Sequence, residues 1–137
     1  MKVLFTALLI VPLFVFSKQN IDFNLSVDSQ KNSIYTQSAN CNPFTESSFV
    51  DLLDLIKSQD VEDSKFKKAK IAFRYNCATA NQVLEILELF DVEKTKLEFA
   101  KFAFEKTIDQ NNYHLINSSF NKESSVQVLK EYIEMRY

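Results

Sequence analysis

The side chains that could do chemistry are few and scattered. The single histidine, His114, follows Tyr113 and could titrate near neutral pH, but no cysteine or serine nucleophile stands with it, so it is read as a surface residue. Carboxylates pair at helical spacing in Asp51/Asp54 and in Glu85/Glu88. Such pairs support general acid–base hydrolysis, with Glu85 or Glu88 as the carrier, although the same spacing marks the solvated side of a helix. Lys65, Lys67, Lys68, Lys70 and Arg74 form a basic cluster that either steers an acidic partner or lines the solvent face of its helix. Asp109, Asn112 and Tyr113 are read as a cap and turn rather than a binding triad. Phe99, Phe102 and Tyr75 fall partly off the core stripes, so they fill a second side between stacked helices or form a patch for a partner.

Composition narrows the chemistry further. The 137 residues contain no glycine, which excludes a Walker loop, a dinucleotide-binding turn, a nucleophile elbow and an EF-hand. It also argues against strand-rich folds, whose tight hairpins favour glycine. One histidine and two cysteines leave no metal set, and no cofactor is expected. With 16 basic against 18 acidic residues, the net charge of −2 gives no overall pull toward nucleic acid.

The first seventeen residues have the form of a secretory signal: Lys2, an uncharged run from Val3 to Phe16, then Ser17. The run stops at Lys18, short of the roughly 20 apolar residues a membrane span needs, and no cysteine follows closely enough for a lipoprotein. Cleavage would leave no membrane span. In an oxidising compartment, Cys41 and Cys77 are most simply one disulfide; the alternative is two unpaired thiols.

These groups need elements to position them. Residues 18–40 read as a polar tether. Within it, Ile21, Phe23, Leu25 and Val27 alternate with polar residues, as in one strand with no clear partner. From Cys41 to Tyr137 the period becomes helical. Thr45 opens a helix over Glu46–Ser58, and a second runs over Val61–Tyr75. Thr79 and Gln82 form a capping box for a third carrying Val83, Ile86, Leu87 and Phe90. Asp91 is expected to cap a fourth helix with Leu97, Ala100 and Phe104, and Asp109 a short fifth with Tyr113, Ile116 and Phe120. A box at Ser124-Ser125-Val126-Gln127 would open the last, with Val126, Leu129 and Ile133 inward. Val61–Phe73 aligns without gaps on Val92–Phe104, with seven of thirteen positions identical at an offset of 31. The fold class is therefore all-α, a small bundle of five to six short helices arranged as helix-pair repeats.

Along this chain, Cys41…Phe49…Leu53…Ile56, Lys65-Phe66…Ala69-Lys70, Cys77, Gln82-Val83 and Ile86-Leu87…Phe90 stand in a distinctive order. Lys96-Leu97-Glu98-Phe99-Ala100-Lys101, Asp109…Asn112-Tyr113 and Leu129…Tyr132-Ile133 continue it. The pattern, from Cys41 to about Glu134, resembles an uncharacterised helical domain family of exported Bacteroidetes-type bacterial proteins, the DUF4476-like domains of unknown function. The resemblance implies a helical fold and an envelope or extracellular location, and it transfers no catalytic residue.

The sequence thus predicts a secreted or periplasmic helical interaction module without catalytic activity, binding a protein partner and neither nucleic acid nor membrane. The alternatives are a small carboxylate-dependent hydrolase of the envelope and a structural or adhesion component. No catalytic, cofactor-binding or metal residue is assigned; Cys41 and Cys77 are the assigned disulfide.

Overall fold

Thr45 ends the extended chain and starts the first helix, its hydroxyl accepting from the Ser48 amide at 3.2 Å. The computed structural model describes residues 41–137. The expected leader (1–17), the tether (18–40) and the alternating stretch Ile21–Asp28 lie outside the described residues. The elements run β1 (Asn42–Pro43), α1 (Glu46–Lys57), α2 (Glu62–Ala72), β2 (Asn76–Cys77), α3 (Ala80–Leu87), α4 (Glu93–Phe104), a 3-10 helix (Gln110–Ser119) and α5 (Glu123–Glu134). The domain is mostly helical, as the periodicity predicts. No described helix is long and apolar enough to cross a membrane.

The small sheet was not anticipated. β1 and β2 pair in parallel, Asn42 opposite Asn76 and Pro43 opposite Cys77. The bonds run from the Asn42 amide to the Tyr75 carbonyl and from the Phe44 amide to the Cys77 carbonyl, both 3.0 Å. On the other side Ala78 bridges to Thr107. These stretches are too short for a period of two to register, and each forms only because the helices beside it bring two extended segments together. The Cys41–Cys77 disulfide is present at the end of this ladder, with Cα atoms 5.5 Å apart.

Three expected caps are corrected. α4 starts at Glu93 with Val92 as its flanking residue, and Asp91 does not cap it. α5 starts at Glu123 after Lys122, so the box at Ser124–Gln127 does not form. The fifth helix is 3-10, and Asp109 supplies it no side-chain cap; Asp109 instead accepts from the Ala80 amide at 2.7 Å, at the start of α3. What replaces the missing caps is tertiary. Glu62 accepts from the amides of Asp91 at 3.2 Å and Val92 at 3.0 Å. Glu93 does the same for Asn121 at 3.2 Å and Lys122 at 3.0 Å. Three residues after each glutamate, a lysine bonds a carbonyl at or just past the end of the short helix that follows: Lys65 to Leu89 at 3.0 Å, Lys96 to Ser119 at 2.9 Å. A carboxylate from one long helix thus satisfies the orphan donors that open the next. The Thr79–Gln82 capping box forms as predicted.

Lys65 also reaches Asp91 at 2.8 Å. That hydrogen bond holds the lysine above its ordinary pKa although partial burial pulls it down, and it holds Asp91 below the usual carboxylate value. Burial pushes the Glu93 carboxyl up, but the hydrogen bonds from the Asn121 amide, the Ser125 hydroxyl and the Lys122 amide outweigh it, so its pKa is lowered. A depressed folded-state carboxylate contributes stability at pH values above its unfolded pKa, and that stability disappears as pH falls through the folded value. Glu93→Gln is therefore expected to cost about 1 kcal/mol near neutral pH. The deficit should shrink toward pH 3, as measured by urea midpoints at both pH values. An equal deficit at both would refute the charge dependence.

With no glycine to turn left-handed, helices close by tightening. The Gln59, Arg74, Leu89, Lys106 and Arg136 amides bond three residues back. Side chains also bond terminal carbonyls: Asn76 donates to Ala72 at 2.7 Å, and the Thr107 hydroxyl shares the Ala103 carbonyl with the Lys106 amide, at 2.8 Å. No described residue has a positive φ.

The core joins Phe49, Leu52 and Ile56 of α1 to Phe73, to Val83, Ile86 and Leu87 of α3, and to Phe90, Phe99, Ala100 and Phe104. Phe99, expected partly off the stripe, is fully buried at its centre. It contacts the rings of Phe73 at 5.3 Å, Phe90 at 5.5 Å, Phe102 at 6.0 Å and Phe66 at 6.3 Å. Tyr113 is buried as well, its hydroxyl donating to the Ala100 carbonyl at 2.6 Å. Burial pushes that phenol well above its ordinary pKa.

Candidate functional site

α2 carries the lysines of the basic cluster, Phe73 caps its end with its ring buried in the core, and Arg74 follows just past it. Two lysines of the cluster are engaged in the fold, Lys65 as above and Lys67 with Asp63 at 2.6 Å on the same helix. Lys70 and Arg74, four residues apart, share one side of the helix end. Across from them, α4 contributes Phe102, and the residue just past its end is Lys106. These side chains, with Ile71 and Phe73, enclose an open cleft of about 330 Å³. That volume lies at the small end for ligand pockets, which span roughly 300–1,000 Å³.

The backbone at this cleft is fixed. The Arg74 amide bonds the Ile71 carbonyl at 3.1 Å, and the next carbonyl, of Tyr75, belongs to the β1–β2 pair. The Lys106 carbonyl accepts from Ala78 at 3.0 Å, which anchors the other wall to the extended segment after β2. The floor is aromatic. Phe102 is half-buried and lies 6.5 Å from Phe73, and Ile71 is exposed beside it. The Lys70 ammonium sits over the rings of Phe102 at 4.8 Å and Phe66 at 5.3 Å, a cation–π arrangement that holds the charge at the rim. No carboxylate lines the cleft, and among the described residues Lys70, Arg74 and Lys106 make no ion pair. On a chain of net charge −2, this is a concentrated positive site over an apolar floor.

The other candidates lie elsewhere. His114 is exposed, its Nδ1 3.2 Å from the Asn111 carbonyl. Asp51, Asp54, Glu85 and Glu88 are all exposed, and neither glutamate lines this cleft. Asp109 and Asn112 form a turn, the Asn112 side chain donating to Asp109 at 3.1 Å, while Tyr113 belongs to the core. Among the described residues no group of three or more His, Cys, Asp or Glu could hold a metal ion. The three off-stripe aromatics separate: Phe99 is core, Phe102 floors the cleft and Tyr75 is exposed.

Sequence reasoning found Lys70 and Arg74 in one basic cluster and Phe102 among the off-stripe aromatics, and it missed Lys106 and Ile71. A signal for the site did exist. The thirteen-residue alignment stops at Phe73/Phe104, one position before Arg74 meets Glu105, where the charge inverts.

Residues 43–133 match the model of a family described as Domain of unknown function (DUF4476). No curated protein and no solved structure matches the chain.

Proposed function

The chain belongs to this DUF4476 family, and from that membership we propose that it is an exported helical module that docks a protein partner, in the periplasm or outside the cell, and performs no chemistry itself. The observation that carries the reading is the α2/α4 cleft, where three cations without carboxylate partners surround an aromatic floor. Fixed rings beside charged rims are the composition of interface anchors. Export is supported by the leader-like run at the chain start, and the Cys41–Cys77 bridge is compatible with an extracellular or periplasmic setting. The recurrence of the Glu62/Lys65 contacts at Glu93/Lys96 supports reading the domain as helix-pair repeats, which bury their faces by stacking and commonly serve as binding scaffolds.

The test is retention of envelope proteins on the immobilised, oxidised chain. A specific partner is expected on the parent protein and is expected to be lost from the Lys70→Glu/Phe102→Ala double variant. Lys57→Glu, a change on exposed α1, should retain it. Equal retention by all three would refute docking at this cleft.

A further inference from the structure

The α2/α4 joint has a counterpart at α4/α5. Lys70 corresponds to Lys101 and Arg74 to Glu105, at an offset of 31; Phe102 corresponds to Tyr132 and Lys106 to Arg136, at an offset of 30. The correspondence is visible in contacts. Lys70 lies over the Phe102 ring at 4.8 Å, and Lys101 lies over the Tyr132 ring at 5.4 Å. At the α4/α5 joint, Glu105 forms an ion pair with Arg136. The next residue, Tyr137, sets its ring edge-on against Phe104, the counterpart of Phe73, with centroids 6.0 Å apart. That joint is self-complementary: carboxylate to guanidinium, with an adjacent ring on phenylalanine.

At the α2/α4 joint the carboxylate is missing. Arg74 stands where Glu105 stands, so the pair becomes two cations, Arg74 and Lys106, lining one cleft. Phe73 is already covered, its ring fully buried with the Phe44 ring 5.3 Å away, so the half-buried Phe102 and the exposed Ile71 are the accessible apolar surface of the cleft. Like charges at one joint raise the energy of the empty site and lower that of a site holding an anion. Resting on the docking reading above, we infer that the cleft takes a partner segment in which an acidic residue adjoins an aromatic one. The carboxylate bridges Arg74 and Lys106 as a charge-assisted hydrogen-bond acceptor. The ring lies on Phe102 and the Ile71 side chain, with Phe73 beneath them. A cleft of about 330 Å³ has room for that pair of side chains and is concave, which suits an inserted side chain better than a lipid surface.

The experiment is a fluorescence-anisotropy titration of the full oxidised chain against short fluorescein-labelled peptides identical except at one central pair. The Glu-Phe peptide is expected to bind at least about tenfold more tightly than the Gln-Phe, Glu-Ala and Lys-Phe versions, a spacing of one charge-assisted bond or one buried ring. Its affinity should fall with added salt. Arg74→Glu restores the charge pairing found at Glu105–Arg136, so it should keep the parent melting temperature and lose the Glu-Phe peptide by at least about tenfold. Arg74→Gln, which keeps much of the stem and removes the charge, should lose it as well. Equal binding of the Gln-Phe peptide, or undiminished binding by both Arg74 variants, would overturn the inference. So would displacement of the Glu-Phe peptide by phosphatidylglycerol vesicles, which would assign the cleft to anionic lipid. If an envelope partner is lost on Phe102→Ala yet is not displaced by excess Glu-Phe peptide, this inference fails while docking at the cleft stands. If its retention ignores both, docking fails too.

Discussion

Phe73→Ala is expected to lower stability by about 3–5 kcal/mol, the range of buried aromatic truncations. Its ring is fully buried where three parts of the chain meet: Phe44 after β1 at 5.3 Å, and Phe99 and Phe102 of α4 at 5.3 and 6.5 Å. Removing it deletes tilted and edge-on ring contacts as well as apolar area, and each such contact adds about 0.5–1.5 kcal/mol beyond burial. The cavity would lie beneath the cleft floor, so collapse around it would draw Phe102 inward. Two readouts should therefore move together, a lower urea midpoint and weaker Glu-Phe peptide binding. An unchanged midpoint would show that the ring is not where the core closes.

The second large effect is at the disulfide. Replacing Cys41 and Cys77 together by alanine is expected to cost about 4 kcal/mol, from the chain entropy of closing a 36-residue separation. That is a large fraction of the roughly 5–15 kcal/mol that holds a domain of this size. The local structure offers little compensation, because β1 holds β2 through only two residues of ladder. Without the bridge that ladder frays, and Phe44 leaves its contacts with Phe49 at 5.9 Å and with Phe73. Parent protein with excess reductant should unfold at the same midpoint as the double variant. A parent midpoint indifferent to reductant would refute the bridge's contribution.

Much of this architecture was legible because helices announce themselves by spacing. Phe49, Leu52 and Ile56, and again Val83, Ile86, Leu87 and Phe90, recur at helical intervals, and both stretches are the buried sides of the helices predicted there. Thr45 and Thr79 were readable because a hydroxyl acting on an amide three residues on is a local event. The failed caps share one cause. At Asp91, Asp109 and Ser124 the sequence offers an acceptable local partner, but a carboxylate or amide about thirty residues away takes the amide or the side chain instead. No window of one helix contains both ends of such a bond. The same reason hid the cleft. Lys70 and Arg74 look like an ordinary solvated stripe until α4 brings Phe102 and Lys106 across from them.

That no described joint uses a positive φ has a consequence for how such a protein can drift. Where a fold depends on left-handed corners, those corners resist replacement, because any side chain there carries a steric penalty. Here no described corner demands glycine for its backbone conformation. The constraint that remains lies in the few carboxylates and rings that reach across from one helix to another. Two such proteins could differ at most of their corners and still superimpose.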